Sequence, residues 1–141
     1  MIDIESKVFD TVYTAVITAF PKARIDAGYV EMSATFPAVT VTETNSVPVR
    51  NTNTDNCSEN FTRVYYEVNV YSDKPGTAKS EAKAIMEVAD EAMKSLKFYR
   101  TVFRQLPNQD RTITRMYARY EVIVGRKTDG SGNTVYQFYR R

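Results

Sequence analysis

The stretch Phe61-Thr-Arg-Val-Tyr-Tyr-Glu-Val-Asn-Val-Tyr71 decides the fold. Val64, Tyr66, Val68 and Val70 share one side of an extended chain, and Arg63, Tyr65, Glu67 and Asn69 share the other. Successive side chains of a strand alternate faces, so this period of two predicts a strand with one core-facing side. Its opposite side is polar but aromatic-rich, which is neither bare solvent surface nor core.

Downstream, Asp73-Lys-Pro-Gly76 is a turn signal. The period then changes. Ala78, Ala82, Ile85, Met86, Ala89, Met93 and Leu96 form one apolar stripe at helical spacing, with Thr77 placed to cap it. Lys83–Glu87 and Asp90–Lys94 are i,i+4 pairs on its outer side. Three strand candidates follow. Residues 98–106 carry Tyr99 and Phe103, and residues 112–124 place Met116, Ala118, Tyr120, Val122 and Val124 opposite Arg115, Tyr117, Arg119, Glu121 and Ile123. Asp129-Gly-Ser-Gly132 turns the chain back into a strand over 134–139.

Upstream, Val8, Val12, Ala15, Val16 and Ala19 predict a helix over 4–19, capped by Asp3, with Glu5 at the positive end of its dipole and Pro21 ending it. Short strands are expected at 28–32 and 37–44. Residues 45–60 are rich in Asn, Ser and Thr with no apolar period, and read as a long loop. Helix, strands, helix, strands is the order of an α+β fold: a mostly antiparallel sheet with two helices packed on one face, plus a C-terminal hairpin. The 141 residues make one domain, 1–141, with loop 45–60 and hairpin 125–141 as extensions for assembly.

Composition narrows the chemistry. The chain has no histidine and one cysteine, Cys57. That removes Ser-His-Asp and Cys-His catalysis, a CxxC redox pair, a Cys/His zinc site and an intrachain disulfide. There is no GxxxxGK[ST] or GxGxxG sequence. Glu87, Asp90 and Glu91 could gather a hard cation but read as a solvated acidic face. No catalytic, cofactor or metal residue is expected. The N-terminus has acids where a signal peptide carries positive charge, and no apolar run nears the roughly 20 residues of a spanning helix. Net charge is +2, but residues 1–97 hold ten basic against fourteen acidic side chains, while 98–141 hold nine against three. A subunit of two signs suits an acidic neighbour or nucleic acid. Tyr and Arg alternate on strands at Arg63/Tyr65 and Arg115/Tyr117/Arg119, and both residue types are enriched at protein interfaces.

The order of these segments resembles a known family. Phe36-Pro-Ala-Val39, Tyr66-Glu-Val-Asn-Val-Tyr-Ser-Asp-Lys74, the Ala-rich helix ending near Met93, Phe98-Tyr-Arg100 and the Arg115–Val124 strand are similar in order and size to the tail terminator proteins of tailed bacteriophages. These are also described as tail completion, head–tail joining or minor capsid proteins. The similarity spans about residues 1–125. It implies a non-enzymatic virion protein of the tail or neck, made in the host cytoplasm, whose copies form a hexameric ring on the tail tube and meet the neck proteins. The strand faces, the unpatterned loop and the basic C-terminal segment supply three sets of residues for such contacts. Arg63, Tyr65, Glu67, Arg115, Tyr117, Arg119 and Glu121 are expected between subunits. Arg50, Asn51, Asn53, Asp55 and Glu59 are expected to touch the tube or a neighbour. Arg100, Arg104 and Arg111 are expected to face the lumen or to form a basic face, and DNA passing through the lumen is expected to make transient, non-specific contact. Another neck or tube subunit is the nearest alternative. A nucleic-acid-binding module using Arg100, Arg104, Arg111, Arg115 and Arg119 is a second, of another class.

Overall fold

The computed structural model describes residues 1–28, 35–49, 61–108, 110–128 and 130–139. In chain order the elements are α1 (Glu5–Ala19), β1 (Arg24–Asp26), β2 (Ala38–Pro48), β3 (Phe61–Ser72), α2 (Ala78–Ser95), β4 (Tyr99–Leu106), β5 (Thr114–Thr128) and β6 (Thr134–Tyr139). The strands form one sheet in the order β1-β2-β3-β5-β4, with β6 also on β5. Among the described residues only β1–β2 is a parallel pair. The expected α+β architecture is therefore the observed one.

The alternation in β3 does what its sequence predicts. Val64, Tyr66, Val68 and Val70 are buried, and across the pair Val122, Tyr120, Ala118 and Met116 of β5 stand directly opposite them. Both helices cover this face with the stripes read from the sequence: Val8, Val12 and Val16 from α1, and Ala82, Ile85, Met86, Ala89 and Met93 from α2. Ile2 and Ile4 carry the core past the start of α1. Fully burying a branched aliphatic side chain contributes about 1.5–3 kcal/mol, so this single interior dominates the stability.

The connections follow from local chemistry. Gly76 takes φ +76° after Pro75, and the Thr77 N–H donates to the Lys74 carbonyl at 3.3 Å, as the turn signal requires. At the other end of α2, Lys97 adopts φ +65°. Its N–H reaches the Lys94 carbonyl at 2.9 Å and the Phe98 N–H reaches that of Met93 at 3.1 Å. This is a Schellman turn with lysine where glycine is usual. It delivers Phe98 into the core, edge-on against Tyr66 at 5.5 Å between centroids. At α1 the N-cap position falls to Ile4 rather than to Asp3, whose Oδ1 accepts the Glu5 N–H at 3.0 Å from one residue earlier, and on α2 the Thr77 hydroxyl makes no capping bond.

Two expectations need correction. The long loop does not begin at Asn45. Strand β2 continues to Pro48, with a bulge between Glu43 and Asn45, and pairs Asn45, Ser46 and Val47 with Tyr65, Val64 and Arg63. Polar residues of low strand propensity extend here because β3 offers them a ready ladder, and pairing overrides propensity. A strand also forms at Arg24–Asp26, parallel to the start of β2, where no strand was expected. Most of the strand expected at 28–32, and the rest of the expected loop from residue 50, lie outside the described residues.

The C-terminal hairpin extends the sheet. Ile123 pairs with Arg63 on one side and Tyr139 on the other, so β6 lies on the β4 side of β5 and continues beyond the end of β4. Phe138 of β6 is buried in the main core, 6.4 Å from Phe98 and beneath the Lys7 ammonium at 5.1 Å. Gly125 lies under the Phe61–Tyr139 ring pair. A Cβ there would stand 2.7 Å from Phe61 Cε1 and 2.9 Å from Tyr139 Cε2, so glycine is what lets both rings close over β5.

Candidate functional site

The sheet face away from the helices is the candidate surface. Cross-strand register sets its rows: Arg63 opposite Ile123, Tyr65 opposite Glu121, Glu67 opposite Arg119, Asn69 opposite Tyr117 and Tyr71 opposite Arg115. All seven residues expected between subunits (Arg63, Tyr65, Glu67, Arg115, Tyr117, Arg119 and Glu121) thus fall on this one face. They form a woven polar layer. The Tyr117 hydroxyl donates to Glu67 Oε1 at 2.6 Å, and Arg119 Nη2 donates to the same oxygen at 3.1 Å. Arg115 Nε donates to Asn69 Oδ1 at 3.0 Å, with its guanidinium 5.6 Å from the Tyr71 ring. Burial, and then donation to Glu67, raises the Tyr117 hydroxyl above the ordinary tyrosine value. Tyr117 and Glu121 are themselves buried, while Arg119 stays half-exposed. The Arg63 Nε is enclosed with no partner among the described residues.

Beside this layer is an open groove of about 550 Å³ lined by Thr44, Asn45, Val47, Tyr65, Thr101, Arg119 and Glu121. The bulge in β2 and a second between Arg100 and Val102 in β4 shape its walls. Glu67, nearby, is a carboxylate already held by two donors, and an open groove of this kind suits docking better than proton transfer. One edge of the sheet is β4, whose Tyr99 and Phe103 are 44% and 42% exposed, and the opposite edge is β1.

The three arginines expected at the lumen or on a basic face stand at different places in the fold. Arg100 stands opposite Tyr120, on the helix side, and Arg104 stands opposite Tyr117, on the open side. Arg111 is exposed in the connection before β5. Arg50, Asn51, Asn53, Asp55, Glu59 and Cys57 lie outside the described residues.

The sequence reading missed the role of Asp90. Rather than joining Glu87 and Glu91 on a solvated face, it is buried and accepts the Tyr120 hydroxyl at 2.7 Å, with Lys94 at 3.0 Å and Arg100 at 3.2 Å. Burial pushes its carboxyl up, but the bonds from Tyr120 and Lys94 and the charges of Arg100 and Lys94 outweigh that and hold it below the ordinary aspartate value. This hub ties α2 to β5 and β4. Its signal was present: Asp90 is four residues after Met86 and three before Met93, so it falls within the apolar stripe.

A second acidic group was also missed. Carboxylate oxygens of Asp3, Glu5 and Glu43 all lie within 4.8 Å of one another, where the start of α1 meets β2. Tyr66 pairs with Glu43 in register and is 1% exposed, and its hydroxyl has no partner among the described residues. Burial, then the charges of Glu43, Glu5 and Asp3, push that hydroxyl well above its ordinary value. Burial, then Glu5 and Asp3, likewise raise the Glu43 carboxyl.

Among the described residues no helix is long and apolar enough to cross a membrane. No curated protein matches the sequence. The family described as tail completion protein gp17 matches residues 10–125, a span that runs from α1 to Gly125 and leaves out β6. With that match over most of its length, the chain belongs to the tail completion protein gp17 family of phage tail structural proteins.

Proposed function

We propose that this protein is a ring subunit that closes the head-proximal end of the phage tail tube, stops its growth and offers the surface to which the head joins. The observation that carries this is the uncovered sheet face. Two helices bury one side of the sheet, and the other side keeps a layer of Tyr and Arg that ends at an edge strand with exposed Tyr99 and Phe103. Such a face suits contact between copies. A ring needs a heterologous contact, in which two different patches meet and the rotation closes. The open face and the β4 edge are two such patches. Standard contacts of about 800 Å² on each of two sides would cover about a fifth of the 8540 Å² surface.

In this reading the ring is a hexamer, and residues 50–60 with the β5–β6 hairpin reach the tube, the neck proteins or the next subunit. DNA passes through the lumen with weak, non-specific contact, since a tightly gripping basic wall would slow its exit. Native mass spectrometry and light scattering across a wide concentration range test the proposal. A closed ring mass supports it. A monomer at every concentration, also in the presence of tail tubes, overturns it.

A further inference from the structure

The Asp3, Glu5 and Glu43 cluster belongs neither to the uncovered sheet face nor to the Asp90 hub. None of the three has an ion-pair partner among the described residues. The nearest cationic side chain in sequence, Lys7, sits instead over the Phe138 ring. Three like charges held this close repel one another unless a cation joins them. A second observation points the same way. The Tyr66 hydroxyl is buried beneath the cluster with no partner, and an orphaned buried hydroxyl costs about the desolvation of the group. A water in an ion's coordination shell would satisfy it.

We propose that Asp3, Glu5 and Glu43 bind a divalent hard cation, calcium above magnesium, with the Tyr66 hydroxyl bonded to a water or carboxylate oxygen of its shell. The donors are all oxygen, which excludes a preference for softer metals. Calcium bonds oxygen at about 2.3–2.6 Å and spans oxygens up to about 4.8 Å apart, whereas magnesium at about 2.1 Å needs them within about 4.2 Å. The carboxylate oxygens here all lie within 4.8 Å of one another, which fits calcium's span and its tolerance of irregular geometry. Asp3 and Glu5 are exposed, so waters complete the shell and the affinity is modest, with Kd of about 10⁻⁴–10⁻³ M. The bound ion clips the first turn of α1 onto β2.

Terbium, a calcium probe whose emission is sensitised by nearby aromatic rings, tests this directly. The chain has ten Tyr and no Trp, so tyrosine is the only efficient donor. The full-length protein, freed of metal by chelation, is titrated with terbium and then with calcium. Sensitised emission that calcium displaces at millimolar concentration is expected, together with a rise in Tm of about 4–8 °C at 10 mM calcium. Glu5→Gln, an exposed substitution that leaves the core intact, should weaken binding about tenfold or more. Tyr66→Phe should keep calcium binding while losing most of the sensitised emission. Calcium effects no larger than those of sodium at matched ionic strength would overturn the proposal, as would emission unchanged in Glu5→Gln. Magnesium acting as strongly as calcium would overturn the preference. Loss of self-association in Glu5→Gln without any terbium signal would assign the cluster to contact between copies instead.

Discussion

Replacing Tyr120 by Phe removes one oxygen from the Asp90 hub and leaves the ring in place. The lost bond is a 2.7 Å donation to a buried carboxylate. The remaining partners, Lys94 and Arg100, are 53% and 42% exposed and are shared with water, so they compensate poorly. A hydrogen bond to a charged acceptor contributes about 1.5–3 kcal/mol. A domain of this length loses about 3 °C in Tm per kcal/mol, which gives a fall of about 5–9 °C. Calorimetry or urea unfolding at pH 7 measures it. The pH dependence provides an internal control. Asp90 has a folded pKa below its ordinary 3.8, so its contribution is complete above that value and is lost as pH falls through the folded value. The gap between the wild type and Tyr120→Phe should therefore narrow below about pH 3.8. A neutral effect at pH 7, or a gap that persists unchanged in acid, would refute the reasoning.

Other expectations follow from single contacts. Arg119→Glu breaks the 3.1 Å pair with Glu67 at a half-exposed position, so it should cost under about 1 kcal/mol in the monomer while abolishing self-association, as followed by circular dichroism and sedimentation. Lys97→Gly relieves a left-handed backbone at the end of α2 and should stabilise by about 0.5–1 kcal/mol in urea unfolding. Gly125→Ala pushes a methyl group against Phe61 and Tyr139 and should destabilise by about 1–3 kcal/mol, with changed near-ultraviolet dichroism from the displaced rings.

Strong periods were legible. The alternation of β3 and β5 and the two helical stripes place nearly all of the core, because burial of apolar side chains dominates the energetics and leaves its pattern in sequence. The open face was legible for the same reason in reverse: once Val64, Tyr66 and Val68 face inward, Arg63, Tyr65 and Glu67 must face outward. What escaped were features that depend on non-local pairing. Asn45–Pro48 is a strand only because β3 lies beside it. Asp90 becomes a hub only because Tyr120 and Arg100 arrive from strands far along the chain. The bulge between Arg100 and Val102 was not marked by any Gly or Pro, and the register alone puts Arg100 and Arg104 on opposite sides. Asp3 and Glu5 were legible as acids at the start of α1, but Glu43 joins them through the packing of α1 against β2.

The most direct measurement is electron microscopy of tail tube protein polymerising with and without this chain. Added protein should shorten the tubes and leave one ring at a single end of each, with no effect from Arg119→Glu. Tube lengths that are indifferent to the added protein, with ends bare at every ratio, would contradict the account.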